Sequence, residues 1–81
     1  MEGKKVKIQL HTPILVATPR DDVPSHYEQA IQSITGKVMK SMEAGILIEV
    51  YEFTGERGET FTPPFTDLFL PHHKIDHIYL I

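Results

Sequence analysis

From Gly36 onward the side chains alternate between apolar and polar, and this period of two constrains the fold more than any other feature. The segment Gly45–Phe53 shows it most strongly, with Ile46, Ile48 and Val50 on one side of an extended chain. Successive side chains of a β-strand point to opposite faces, so the pattern predicts strands. Because the segment is apolar on both faces at its start, we predict a central or strongly curved strand in a mainly β fold.

Length and composition limit how such a fold is stabilised. The chain has 81 residues and no cysteine, so we predict one domain over residues 1–81 without disulfides or a thiolate zinc site. A chain this short buries only about 60–65% of the surface that its unfolded form exposes, and self-association is a common way to bury more. The first residues form no continuous apolar run, so we expect a cytoplasmic protein with no signal peptide and no membrane span.

Two extended segments lie near the N-terminus. Val6–His11 alternates with period two, and Ile14–Ala17 is apolar. Thr12-Pro13 interrupts them, because proline has no amide to donate. Either one bent strand or two short strands fit this pattern. Residues 18–24 contain two prolines and adjacent acids, which predicts a loop.

The next segment changes period. Ser25 precedes Glu28 by three residues, which is the form of a capping box. Apolar side chains then recur at the spacing of one helical face: Tyr27, Ala30, Ile31 and Ile34. We therefore predict one short helix over about residues 25–33, which must pack on the sheet because two turns are not stable alone.

The second half of the chain consists of extended segments separated by turns. We predict turns at residues 43–45, 55–58 and 71–74, strands at 60–62 and 65–70, and a last strand at 76–81. The double proline Pro63-Pro64 must lie at a sheet edge or outside the ladder.

This order of elements resembles the small barrels of the Sm-like and SH3-like group over residues 34–81. The segments that carry the resemblance are Ile34–Val38, Gly45–Val50 and Leu68–Ile78, in which Leu70-Pro71 leads through one turn to the closing strand. The resemblance implies a five-stranded barrel with a long bent middle strand. Sm-like proteins usually form rings by pairing the edge strands of neighbouring subunits, and many bind RNA. The segment His72-His73-Lys74 is similar to the lysine and histidine that bacterial relatives carry before the last strand.

Basic side chains define one candidate binding face. It comprises Lys5 and Lys7 on the outward side of the first strand, Lys37, and the turn residues His72, His73 and Lys74. Such a stripe can contact phosphates, although a solvated edge that discourages aggregation is the simpler role. The formal charge of −3 and the absence of asparagine favour a protein partner or a structural assembly over RNA, and we expect no DNA binding.

Apolar side chains beyond the needs of a small core define a candidate oligomer face. Tyr51 and Phe53 share the strand face of Leu47, opposite the inward set. Tyr79 and Ile81, on the last strand, fit a strand that docks against a neighbouring subunit. We predict a homo-oligomeric binding or assembly module whose partner is protein or RNA.

No nucleophile elbow, glycine-rich phosphate loop or paired-carboxylate motif is present, so we expect no enzyme activity and no cofactor. The alternative is a metal- or small-molecule-binding protein that uses His72, His73, Asp76 and His77, since imidazoles and a carboxylate suit zinc. In a strand, however, Asp76 and His77 would point to opposite sides.

Overall fold

The computed structural model describes residues 2–19, 26–62 and 66–81. These residues form a mainly β fold, as predicted. Its strands are β1 (Lys5–Pro19), β2 (His26–Ser41), β3 (Gly45–Gly55), β4 (Thr60–Phe61), β5 (Asp67–Pro71) and β6 (Ile75–Leu80). They form one antiparallel sheet in the order β4-β3-β2-β1-β6, and β5 pairs with the first half of β3. A 3₁₀ helix, His72–Lys74, connects β5 to β6, where the sequence predicts a tight turn.

The core lies on the inner side of this sheet. Ile46, Ile48 and Val50 are only 2%, 0% and 5% exposed, which confirms the inward set predicted for β3. They pack with buried apolar side chains from β1, β2, β3 and β5: Val6, Ile8, Leu10, Ile31, Ile34, Val38, Phe53 and Leu70. The sheet therefore has one clearly apolar face, and exposed side chains such as Lys5 and Lys37 lie on the other.

The predicted helix at residues 25–33 is wrong for every residue of it that the structure describes, because β2 begins at His26. Ladder pairing with β3 passes from Ile31 directly to Ser33, so Gln32 is an extra residue in a β-bulge. One extra residue places Ile31 and Ile34 on the same face of a strand although they are three apart, which is also the helical spacing. Both side chains are fully buried. Ser25, the proposed cap, lies outside the described residues.

The N-terminal segments form one irregular strand rather than two. The register between β1 and β2 shifts between Gln9 and Ile14, and Pro13 lies in this gap. Gln32 closes the gap, because its side-chain amide donates a hydrogen bond of 2.9 Å to the carbonyl of Leu10. β1 continues to Pro19, so the predicted loop at residues 18–24 is wrong for its first two residues. Its other residues lie outside the described part of the chain.

A second bulge changes the direction of side chains in β3. Thr35 pairs with Glu52 and Gly36 with Val50, so Tyr51 is the extra residue. Tyr51 is 42% exposed, whereas Phe53 is completely buried. The prediction that these two aromatic side chains share a face is therefore wrong, because an alternating pattern reverses its phase at a bulge.

The ladders of the described residues form an open sheet, with none between β5 and β6. Closure into a barrel therefore stays a prediction. The turn predicted at residues 55–58 is confirmed by a backbone hydrogen bond of 3.1 Å from Gly58 to Gly55 and by the positive φ of Gly58. Gly36 permits a close approach of β2 to β3, because a side chain there would meet the backbone carbonyl of Glu49. The double proline Pro63-Pro64 lies outside the described residues.

Candidate functional site

The lysines of the first two strands meet on the outward face of the sheet. Lys5 lies directly opposite Lys37 across the ladder of β1 and β2, and Lys7 is opposite Thr35. Residues directly opposite have Cβ atoms about 4.5–5.5 Å apart, so Lys5 and Lys37 are close neighbours of like charge. The structure thus brings together the three lysines that the sequence assigns to one binding face.

Two tyrosines lie on the same face, on either side of the lysines. The ammonium of Lys5 is 5.9 Å from the centroid of the Tyr51 ring in β3. Tyr79 in β6 pairs across the ladder with Lys7. Their side chains are 42% and 49% exposed, so each ring presents a large part of its surface to solvent.

Few acidic groups offset the positive charge of this face. Glu49 is the ladder partner of Lys37, and Glu52 is the partner of Thr35. Among the residues that the structure describes, the ion pairs within 4 Å are those of Asp76 with His11 and His77, and none includes Lys5, Lys7 or Lys37. Lys5 and Lys7 therefore have no acidic ladder partner, whereas Lys37 has Glu49.

The other half of the predicted binding face lies elsewhere. Lys5 and Lys7 flank Val6, which pairs with Leu80 at one end of β6, whereas His72, His73 and Lys74 precede its other end at Ile75. The length of β6, about 16 Å at 3.3 Å per residue, therefore separates the two lysines of β1 from the basic residues of the 3₁₀ helix. The predicted face is thus two separate surfaces.

His72 has a structural role in this arrangement. Its backbone amide donates a hydrogen bond of 3.1 Å to the carbonyl of Ala44, and its Nε2 is 3.0 Å from the carbonyl oxygen of Met42. Both carbonyls belong to the connection between β2 and β3. His72 therefore attaches the 3₁₀ helix to this connection.

Asp76 forms a cluster with histidines from two strands. Gln9 pairs with His77 and Leu10 with Ile75, so Asp76 is the extra residue of a bulge. Asp76 Oδ2 is 3.2 Å from Nδ1 of His77, and its Oδ1 is 3.8 Å from Nδ1 of His11. The prediction that Asp76 and His77 point apart is wrong, because the bulge brings both to one side.

The hydroxyl of Tyr79 completes this cluster. It makes a short hydrogen bond with Nε2 of His77, and the two rings meet edge to face with centroids 4.7 Å apart. The sequence interpretation missed His11, which is separated from Asp76 by most of the chain. Only the pairing of β1 with β6 brings them together, and no local signal predicts that register.

The structure does not assemble the four ligands of the metal alternative. His72 turns toward Met42, while Asp76 contacts both His77 and His11. In the part of the chain that the structure describes, no group of three or more histidine, cysteine or acidic side chains is arranged to hold a metal ion.

The predicted oligomer face is also divided. Phe53 is in the core and cannot contribute to an exposed surface. Leu47 and Tyr51 belong to β3. Tyr79 belongs to β6 and Ile81 directly follows it, so β1 and β2 lie between the two pairs of residues. Because Lys5, Lys7 and Lys37 lie on the outward side of those intervening strands, this face is not one continuous apolar patch.

The edge strand β6 offers a different kind of contact. The amide of Ile81 donates a hydrogen bond of 3.1 Å to the carbonyl of Lys5. Because hydrogen-bonding direction alternates along an antiparallel strand, the backbone groups of Tyr79 also face β1, and those of Ile78 and Leu80 face away from it. Leu80 is 69% exposed and Ile81 is 62% exposed. Among the described residues this edge of β6 has no ladder partner, and such an edge beside exposed apolar side chains is a template for strand addition.

Comparisons with protein-family models, curated proteins and solved structures give no match to this chain. Among the described residues, no helix has the length and apolar character needed to cross a membrane.

Proposed function

We propose that this chain is a non-catalytic assembly module of the Sm-like and SH3-like kind, which forms homo-oligomers by pairing β6 of one copy with β5 of the next. The observation that carries the proposal is the edge of β6 that has no ladder partner within the described part of the chain, with outward-facing backbone groups at Ile78 and Leu80. The exposed side chains of Leu80 and Ile81 add apolar area to the same edge.

The order of the last elements supports the comparison with these small barrels. A long, bulged β3 is followed by the two-residue β4, then by β5, one 3₁₀ turn and β6. β3 lies two strands from β1, which pairs with β6. In that group, neighbouring subunits join through edge strands.

β5 is a suitable partner for β6. It pairs with β3 along one side, and no second ladder involves it among the described residues. It has five residues and β6 has six, so the two can match in length. Phe69 on β5 is 41% exposed and can pack against Leu80 or Ile81 of a second copy. Because this contact joins two different edges, it is head-to-tail. Successive copies then close into a ring when the rotation between neighbouring copies permits.

Light scattering at high micromolar concentration tests this assembly. The native chain is expected to have a mass that is a multiple of 9.2 kDa. Leu80→Pro removes an amide that faces away from β1, so it is expected to fold and to give the single-chain mass. Leu80→Ala keeps the amide and is the matched control, which is expected to weaken the assembly less. A native chain that stays monomeric, or a Leu80→Pro chain that assembles normally, overturns the proposal.

A further inference from the structure

We propose that the outward face of β6, β1, β2 and β3 binds single-stranded nucleic acid, with Lys5, Lys7 and Lys37 contacting phosphates and Tyr51 and Tyr79 stacking on bases. This goes beyond self-assembly and concerns a different surface. It also differs from the loops next to the last strand, which the Sm-like resemblance associates with RNA.

The first support is the positive charge of Lys5 and Lys7, because neither lysine has an acidic ladder partner. Like charges directly opposite each other in a sheet are destabilising, and Lys5 and Lys37 occupy such a position. Within the described residues neither forms an ion pair within 4 Å, and Glu49 is the ladder partner of Lys37 on its other side. A bound polyanion would relieve this repulsion. The face can therefore attract phosphates even though the whole chain has a formal charge of −3.

The second support is the position of the aromatic rings. Tyr51 and Tyr79 lie on strands that are three strand intervals apart, or about 14 Å at 4.8 Å per interval, with the lysines between them. Aromatic rings beside a basic track are the two elements by which proteins bind single strands without a preferred sequence. The 5.9 Å approach of Lys5 to the Tyr51 ring brings the two elements together.

The same geometry favours an unpaired strand over a duplex or an acidic protein. Exposed rings on a sheet surface can stack only on bases that are not already stacked in a helix. An acidic polypeptide would use the lysines but would gain much less from both rings. A loss of binding in tyrosine variants therefore distinguishes a single-stranded nucleic acid from an acidic protein as the partner.

Binding on this face is compatible with the proposed assembly. Strand addition at β6 uses the backbone groups in the plane of the sheet, whereas Lys7 and Tyr79 project from its surface. The two proposals can therefore fail separately. Mass and ligand binding are measured on the same samples, and the Leu80→Pro chain is included as the single-chain form.

Fluorescence anisotropy with labelled 12-nucleotide oligouridylate, oligothymidylate and a DNA duplex of equal length tests the inference. We expect both single strands to bind at low salt, which for oligothymidylate departs from the sequence-based expectation of no DNA binding. The duplex is expected to bind at least 10-fold more weakly. Each lysine–phosphate contact on a single strand contributes about −0.7 to the slope of log K against log salt, so three contacts give about −2. The double variant K5Q/K37Q is expected to reduce this slope to about −0.7.

Aromatic variants test the stacking contacts. Tyr79→Leu and Tyr51→Leu are each expected to weaken binding about 10-fold, whereas Tyr79→Phe keeps the ring and is expected to bind within 2-fold of the native chain. Lys74→Gln, on the separate basic surface, is the matched charge control and is expected to bind as the native chain does. Circular dichroism verifies that each variant is folded.

Several results overturn the inference. These are no binding of either single strand at low salt, unchanged binding by K5Q/K37Q, or equal binding of the duplex. Displacement by oligoglutamate at concentrations equal to those of oligouridylate, with no loss in the tyrosine variants, would assign the face to an acidic protein instead. A preference between oligouridylate and oligothymidylate identifies which single strand the face selects.

Discussion

The side-chain amide of Gln32 donates a hydrogen bond to the backbone carbonyl of Leu10 over 2.9 Å, across the gap where β1 and β2 lose their register. Leu10 is 1% exposed, so water cannot easily replace this donor. The contact therefore holds the two strands together where Pro13 offers no amide. It also stabilises the position from which β1 continues toward Pro19.

Gln32→Leu is expected to lower the free energy of unfolding by about 1–3 kcal/mol, because it leaves a buried carbonyl without its donor. Urea denaturation measures the change. Gln9→Leu, at a half-buried position one residue before Leu10, is the control and is expected to change stability by less than about 0.5 kcal/mol. Equal effects of the two substitutions would contradict the assigned role of Gln32.

Phe53 and Tyr51 are expected to respond very differently to truncation, because the bulge buries one ring and exposes the other. Phe53→Ala is expected to cost about 3–5 kcal/mol, which can unfold so small a domain. Phe53→Leu is therefore the measurable variant, with an expected loss of about 1–2 kcal/mol.

Tyr51→Leu, in the same denaturation experiment, is expected to cost less than Phe53→Leu, because Tyr51 is 42% exposed and leucine keeps an apolar side chain there. A larger loss at Tyr51 than at Phe53 would mean that the bulge lies elsewhere in β3.

Gly36→Ala is expected to destabilise the protein by about 3 kcal/mol or more, because the new Cβ would overlap the backbone carbonyl of Glu49. Thermal unfolding measures this loss. Gly3→Ala is the comparison: its Cβ meets nothing within 4 Å, and its positive φ of 80° gives an expected cost of only about 1 kcal/mol. Tolerance of alanine at Gly36 would show that β2 and β3 are farther apart than described.

Stoichiometric zinc is expected to leave the melting temperature of the purified, untagged chain unchanged. The reason is geometric: His72 of the 3₁₀ helix contacts Met42, whereas His77 and Asp76 contact each other on β6. Differential scanning calorimetry with and without zinc measures the shift. A rise of several degrees that disappears in a His77→Gln variant would revive the metal-binding alternative.

The sequence predicts the parts of this fold that depend on simple alternation. Ile46, Ile48 and Val50 are buried as expected, and the turn before β6 is at the expected residues. These features are local, because each strand face is determined by neighbouring residues and each turn by its own proline or glycine. The prediction of a mainly β domain required nothing more.

Three of the errors share one physical cause, which is the β-bulge. Extra residues at Gln32, Tyr51 and Asp76 each reverse the side-chain phase, so the sequence pattern misassigned the helix, the face of Phe53 and the contact of Asp76 with His77. A bulge is defined by what the partner strand does, and one strand's sequence does not contain that information. The same limit applies to the candidate site, where the ladder register unites Lys5 with Lys37 and separates both from His72.

Residue-resolved amide hydrogen exchange along β6, over a range of protein concentrations, tests the proposed assembly most directly. The amide of Tyr79 faces β1 and is expected to be protected at every concentration. The amides of Ile78 and Leu80 face the open edge, so their exchange is expected to slow as concentration rises and copies join. If Ile78 and Leu80 exchange at rates independent of concentration while oligomers form, β6 is not the assembling edge.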